Sequence, residues 1–227
     1  MITDHFGLFF FDNSWLRIIG RTAMPIFTFF AGYNYYPVKE RERMNFFWEI
    51  ERYLNIFVLA ILLQIIIWLY IPAYPIYNII FSILMGLCLI DIIDLVKPNQ
   101  WLIHILALIF LPLTYRITDY GTFAFAFCYL GYIYNFKKNI IYLILVGFWL
   151  YIFGIDSYVK FSANIMQSLL LALIVIFQFW VFNFADFKKI ISWKFLQVSR
   201  YILPIYFWHI ILFVIGYSVV NYTKFHS

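Results

Sequence analysis

Asn164 to Phe184 reads NIMQSLLLALIVIFQFWVFNF, 21 residues without an Asp, Glu, Lys or Arg. As a helix rising 1.5 Å per residue it is roughly 30 Å long, the thickness of a bilayer's hydrocarbon core. Such a helix is apolar nearly all round, so its side chains need either a protein interior or lipid. The rest of the chain decides between these. Hydrophobic residues make up 65% of the 227 and charged residues 12%, whereas a soluble domain is roughly 25% charged. Too little charge remains to cover a water-exposed surface, and the fold class is all-α, a polytopic membrane helical bundle.

On either side of that run, apolar stretches bounded by polar or Pro-containing breaks predict about nine segments in all, at 1–12, 15–36, 46–70, 76–95, 101–113, 119–135, 140–154, 164–184 and 195–220. The first and fifth are shorter than a full crossing and suit half-helices or re-entrant pieces buried by their neighbours, which gives eight to nine spans. Short loops use up the remaining length, so residues 1–227 form a single integral membrane domain. Trp15, Trp48, Tyr70, Tyr74, Trp101 and Tyr201 stand at segment ends, where indole and phenol rings suit the headgroup boundary. The opening stretch lacks a basic n-region and a small-residue cleavage site and does not have the form of a secretory signal.

Charge then sets a direction. The net charge of +5 would suggest nucleic acid in a soluble protein, but here the basic residues sit in loops beside apolar spans, and no nucleic-acid partner is expected. Lys39, Arg41, Arg43, Arg52, Lys97, Lys137, Lys138, Lys188, Lys189 and Lys194 fall on one set of alternate loops or close to it, against Arg116, Lys160 and Lys224 on the other. Because Lys and Arg collect on the cytoplasmic side, the N-terminus is expected in the cytoplasm and the C-terminus outside.

Arg17, Arg21, Arg200, Asp4, His5, His104 and His209 remain inside the segments. A charged group there costs about 2.5–3.5 kcal/mol on insertion scales, which makes these residues the default site candidates. Asp4 and His5 share a turn beside Gly7. His5 reads either as a base whose tautomer Asp4 fixes, or as part of a hydrated pair at the cytoplasmic mouth. Arg17 and Arg21 share a helix face that continues through Pro25, Thr28 and Gly32, the pattern of a cavity lining. Arg17 is close enough to the outer end to snorkel, whereas Arg21 is a full turn deeper. His209 lies near mid-membrane beyond Pro204, with Tyr206 one turn away. Arg200 stands near the cytoplasmic end, where phospholipid contact is the alternative.

Other polar positions have plainer readings. His104 reads as a core or interfacial histidine. Asp91 and Asp94, at i and i+3 ahead of Lys97, read as a solvated helix end rather than a cation site. Cys88 and Cys128 belong to no CxxC pair and read as packing residues, and no metal is expected. No P-loop, dinucleotide-binding glycine pattern, HExxH or GxSxG is present.

Several strings, in order along nearly the whole chain, carry a family resemblance. They are Ile2-Thr3-Asp4-His5-Phe6-Gly7, then Leu16-Arg17-Ile18-Ile19-Gly20-Arg21 with Pro25-Ile26-Phe27, then Asn78 to Gly86, Asp119-Tyr120-Gly121, and Pro204-Ile205-Tyr206 before His209. The chain resembles the TraX family, membrane proteins of bacterial conjugation loci associated with acetylating the N-terminus of pilin. More distantly, the early His, the Phe29-Phe30-Ala31-Gly32-Tyr33 string and the late Tyr206 and His209 resemble acyltransferase-3 membrane acyltransferases. The resemblance implies a bacterial inner-membrane acetyltransferase with acetyl-CoA as co-substrate and the N-terminal amine of a pilin-like protein as acceptor. In that scheme His5, oriented by Asp4, or His209 takes the proton, Arg21 stabilises the oxyanion or holds the substrate, and Arg200, Arg17, Lys39 and Arg41 meet the CoA phosphates. Two other readings stand beside it: O-acylation of a cell-envelope sugar or lipid, and a non-enzymatic transporter or structural subunit of a conjugation or secretion assembly.

Overall fold

The computed structural model describes residues 14–21, 23–42, 46–70, 79–97, 99–114, 120–135, 139–161 and 165–184, with 208, 211–212 and 215–216. Among these residues the regular elements are all helices: α1 (Ser14–Arg21), α2 (Ala23–Glu42), α3 (Phe46–Tyr70), α4 (Ile79–Val96), α5 (Gln100–Thr114), α6 (Thr122–Tyr134), α7 (Ile140–Phe161) and α8 (Ile165–Phe184). The expected segment 1–12 and all but a few positions of 195–220 lie outside the described residues, so the nine-segment count is not established. Of the described helices, Ile79–Val96, Ile140–Val159 and Ile165–Phe184 are long and apolar enough to cross a membrane.

The bundle is organised around its shortest apolar helix. α6, TFAFAFCYLGYIY, is apolar all round, and each of its 13 residues is buried. It packs most extensively on α2 and also on α4, α5 and α7. A helix enclosed by others need not match the bilayer's thickness, which explains how 13 residues suffice. Its small residues admit neighbouring backbones. A Cβ placed on Gly131 would overlap the Phe29 carbonyl oxygen, and one on Gly32 would overlap that of Cys128, so α2 and α6 cross backbone against backbone. Thr122 fixes the start of α6: its hydroxyl donates to the Ala107 carbonyl at 2.7 Å and its N–H donates to Thr114 Oγ1 at 3.0 Å. Gly121, at φ 51°, makes the turn into it.

That crossing corrects one expectation. Pro25, Thr28 and Gly32 do not line a cavity; all three are buried. The Thr28 hydroxyl donates back to the Met24 carbonyl at 2.9 Å, and Gly32 is the contact with α6. The small-and-polar stripe is a packing seam.

The opening run of the sequence forms α8, whose inward face carries Gln167, Leu171, Gln178 and Phe182. Spacings of four, seven and four keep these residues on one side, and buried amides on such a face join helices where lipid offers no polar partner. α8 packs on α7, with the Phe179 ring 3.4 Å from where a Gly147 Cβ would stand and Val175 Cγ2 3.3 Å from the same point at Gly154. α7 therefore runs on through Gly154 to Phe161, a turn and more beyond the expected end at 154. Leu69, Leu95, Val159, Ile165 and Leu173 are exposed, a surface that suits lipid rather than water.

Candidate functional site

Two polar centres are built into the apolar bundle, near opposite ends of α6. The first gathers residues beside the basic loops. Asp91 lies within the last two turns of α4 and accepts hydrogen bonds from the Tyr35 hydroxyl of α2, 2.6 Å from each carboxylate oxygen, and from the Tyr53 hydroxyl of α3. The two hydroxyls are 2.7 Å apart. Three residues on, Asp94 accepts a hydrogen bond from the Tyr132 hydroxyl of α6. Asn135, just past α6, donates through Nδ2 to the Tyr33 carbonyl at 2.9 Å. α2, α4 and α6 thus bring together the ends that lead towards Lys39, Lys97 and Lys137, along with the start of α3, at one end of the bundle.

This corrects the reading of Asp91 and Asp94 as a solvated helix end. Both are half-buried and held by tyrosine hydroxyls from other helices. A carboxylate in a span costs free energy unless donors meet it, and phenol hydroxyls meet it without adding charge.

The second centre holds Arg21, the last residue of α1. Its Nη1 lies 3.3 Å from Asp156 Oδ2 on α7, with the two side chains 11% and 23% exposed. The guanidinium carbon stands 5.5 Å from the centre of the Tyr120 ring, just ahead of α6. A guanidinium presents five N–H donors in a planar fork, the chemistry that meets carboxylates and other anions. Tyr120 and Tyr132 are twelve residues apart, which along α6 is roughly 18 Å. That is too far for one small reacting group to touch both centres.

Between the ends, His104 of α5 is buried, and its Nδ1 accepts the Trp149 indole N–H at 2.9 Å. With Nδ1 accepting, the neutral ring carries its proton on Nε2. The structure thus agrees with the core reading of this histidine. Trp149→Phe is expected to cost about 1–3 kcal/mol through the lost hydrogen bond and indole volume. Thermal unfolding in detergent checks it, with the exposed neighbour Phe148→Leu as reference; equal behaviour of the two variants would refute the prediction. A groove of about 190 Å³ lined by Trp101, His104, Ile105, Leu108, Ile144, Leu145 and Phe148 lies beside it.

The structure brings Arg21 into an ion pair and places Arg17 half-buried one turn earlier on α1. Lys39 and Arg41 stand on the last turns of α2, four and six residues beyond Tyr35. Asp4, His5, Arg200 and His209 lie outside the described residues. Cys128 is buried against α2 and α4, whereas Cys88 is exposed. Among the described residues no three His, Cys, Asp or Glu side chains are grouped to hold a metal ion.

Sequence reasoning misses Asp156, because the expected segment ends at Gly154, and misses Tyr35, Tyr53 and Tyr132, which look like interfacial aromatics. One signal was available: two aspartates inside an apolar helix need donors, and these tyrosines lie towards the same basic side.

Among curated proteins, an uncharacterized protein of Rickettsia prowazekii (strain Madrid E) is 29% identical over 211 residues, covering 90% of this chain and 73% of that protein. No solved structure matches. The TraX protein family matches residues 1–216, in a bundle whose surface and intramembrane polar centres suit a membrane protein, and the chain belongs to that family.

Proposed function

We propose that the protein is a membrane-embedded acetyltransferase that moves an acetyl group from cytoplasmic acetyl-CoA to the N-terminal amine of a pilin-like protein in the bacterial inner membrane. The observation that carries this reading is membership of the TraX family over nearly the whole chain. The convergence of basic ends supports it, because a donor bearing phosphates is met where Lys39, Arg41 and Lys97 stand. Arg200 is a further candidate for the phosphates, whereas Arg17, one turn before Arg21, stands at the opposite end from Lys39 and Lys97. Arg21, largely enclosed and paired with Asp156, has the chemistry to stabilise an oxyanion or hold a substrate more strongly than it would in water. His5, with Asp4, and His209 are candidate bases. With this direction the N-terminus is cytoplasmic and the C-terminus outside.

The test is transfer of label from radiolabelled acetyl-CoA, by purified protein in liposomes, to an apolar peptide with a free α-amine. Wild type is expected to label that peptide and not its N-terminally blocked form. Arg21→Lys, which keeps the charge but not the planar fork, is expected to lose about 100-fold. No transfer by wild type would overturn the reading, and label found instead on a sugar or lipid hydroxyl would move it to O-acylation. Activity unchanged in both His5→Ala and Arg21→Lys would remove those two roles.

A further inference from the structure

The tyrosine-held carboxylate of α4 is more than the packing of a bundle requires. Apolar side chains of similar volume would fill the same space without the cost of desolvating a carboxylate. Instead three helices deliver three oxygens to one point: Asp91 from α4, Tyr35 from α2 and Tyr53 from α3, each hydroxyl in contact with the carboxylate and with the other hydroxyl. The groups surrounding them are also titratable. Asp94 and Tyr132 form the adjoining pair, Tyr129 of α6 stands near Asp94, and Cys88 precedes Asp91 by one turn of α4. Lys97, three residues beyond Asp94, is exposed at the same end.

We propose that Asp91, acting through the hydroxyl of Tyr35 or Tyr53, is the proton acceptor that activates the amine for acetyl transfer. The proposal rests on the acetyltransferase reading above. An α-amine titrates at about 7.7–8.0 and is mostly ammonium at neutral pH, so it must lose a proton before it can attack. A carboxylate attracts the ammonium. The bridging tyrosine takes a proton from nitrogen as it gives its own to Asp91, so no tyrosinate is left behind. The nitrogen lone pair then attacks the thioester carbonyl carbon. The N–C bond forms while the carbonyl π pair moves to oxygen; collapse reforms C=O and breaks C–S, the thiolate leaves with the bonding pair and takes the second proton from nitrogen, and Asp91 releases the first to solvent. Amine and thioester become amide and thiol, with no oxidant, reductant or further reactant. The location suits the donor, since Asp91 lies at the end of the bundle that the basic residues flank; Arg21, at the other end, then holds a remote part of the substrate rather than the oxyanion.

Wild type, Asp91→Asn, Tyr35→Phe, Tyr53→Phe and Asp94→Asn are compared in liposomes with radiolabelled acetyl-CoA and the free-amine peptide, from pH 6 to about 9.5. Asp91→Asn is expected to lose about 100-fold in kcat at pH 7, with KM for acetyl-CoA within twofold. Its rate is expected to rise about five- to tenfold between pH 7 and about pH 9, as the free fraction of the amine grows from roughly a tenth to nearly all. One of the two Tyr→Phe variants should show the same recovery, and Asp94→Asn should keep the wild-type profile. A merely structural role would lower the rate without that recovery. An active wild type with Asp91→Asn within threefold of it, or depressed equally at every pH, would overturn the assignment and leave the acetyltransferase reading intact. An inactive wild type would overturn both. If Asp91→Asn does not fold, the two tyrosine variants decide: no alkaline recovery in either refutes the proposal.

Discussion

Gly131→Ala is expected to destabilise the protein by about 3 kcal/mol or more, at or beyond the upper end of ordinary overpacking. The added carbon would overlap the backbone carbonyl oxygen of Phe29, a group that cannot rotate away, on a helix that is buried on every side. Gly32→Ala meets the Cys128 carbonyl oxygen from the opposite helix and should cost as much. Relief requires α2 and α6 to separate, and α6 also supports α4, α5 and α7. The internal control is Gly86→Ala, whose Cβ would stand 3.4 Å from Cys128 Cβ, an ordinary contact, and should change stability little. Thermal or denaturant unfolding in one detergent compares the three. Gly131→Ala as stable as Gly86→Ala would contradict the backbone crossing. Leucine at Gly131 should abolish the monodisperse folded species.

The second large effect concerns the ion pair. Removing one partner of a buried pair strands the other charge and typically costs about 3–5 kcal/mol, whereas replacing both by apolar residues is often close to neutral. Arg21→Met and Asp156→Leu singly are therefore expected to destabilise strongly, and the double variant to recover most of the loss. If the double variant were as unstable as the sum of the two singles, the residues would not be coupled as the 3.3 Å contact indicates. The same cycle separates structure from chemistry. Under the proposed function the double variant regains stability but not acetyl transfer, because no guanidinium is left to meet the substrate.

The two centres divide the labour of the bundle. The tyrosine–aspartate cluster joins α2, α3, α4 and α6 at the basic end, while Arg21 ties α1 to α7 at the other. Neither centre is an accident of surface charge, since each draws polar groups from helices far apart in the chain into an apolar interior. Within a lipid environment such groups have few alternative partners, so each centre also fixes how its helices are arranged.

Several features of this protein were legible in the residues alone. The run beginning at Asn164 became α8, the stretch from 76 to 95 became α4 across Ile79–Val96, and the stretch from 101 to 113 became the short α5, Gln100–Thr114. Span length and apolar composition are local properties, and a helix in lipid satisfies its backbone within itself, so sequence decides them. Arg21 stood out for the same reason, as a charge deep in an apolar segment. What answered that charge was not legible, because Asp156 lies 135 residues away and its approach depends on α7 continuing through Gly154. The tyrosines on Asp91 are 56 and 38 positions distant. Gly32, read as part of a cavity lining, proved to be a helix crossing, since a small residue on a helix face signals close approach without saying what approaches. Sequence determined which stretches form apolar helices and which charges lie within them; only packing around α6 decided which of those charges meet, because in an apolar interior each buried polar group is answered by whichever helix the bundle places beside it.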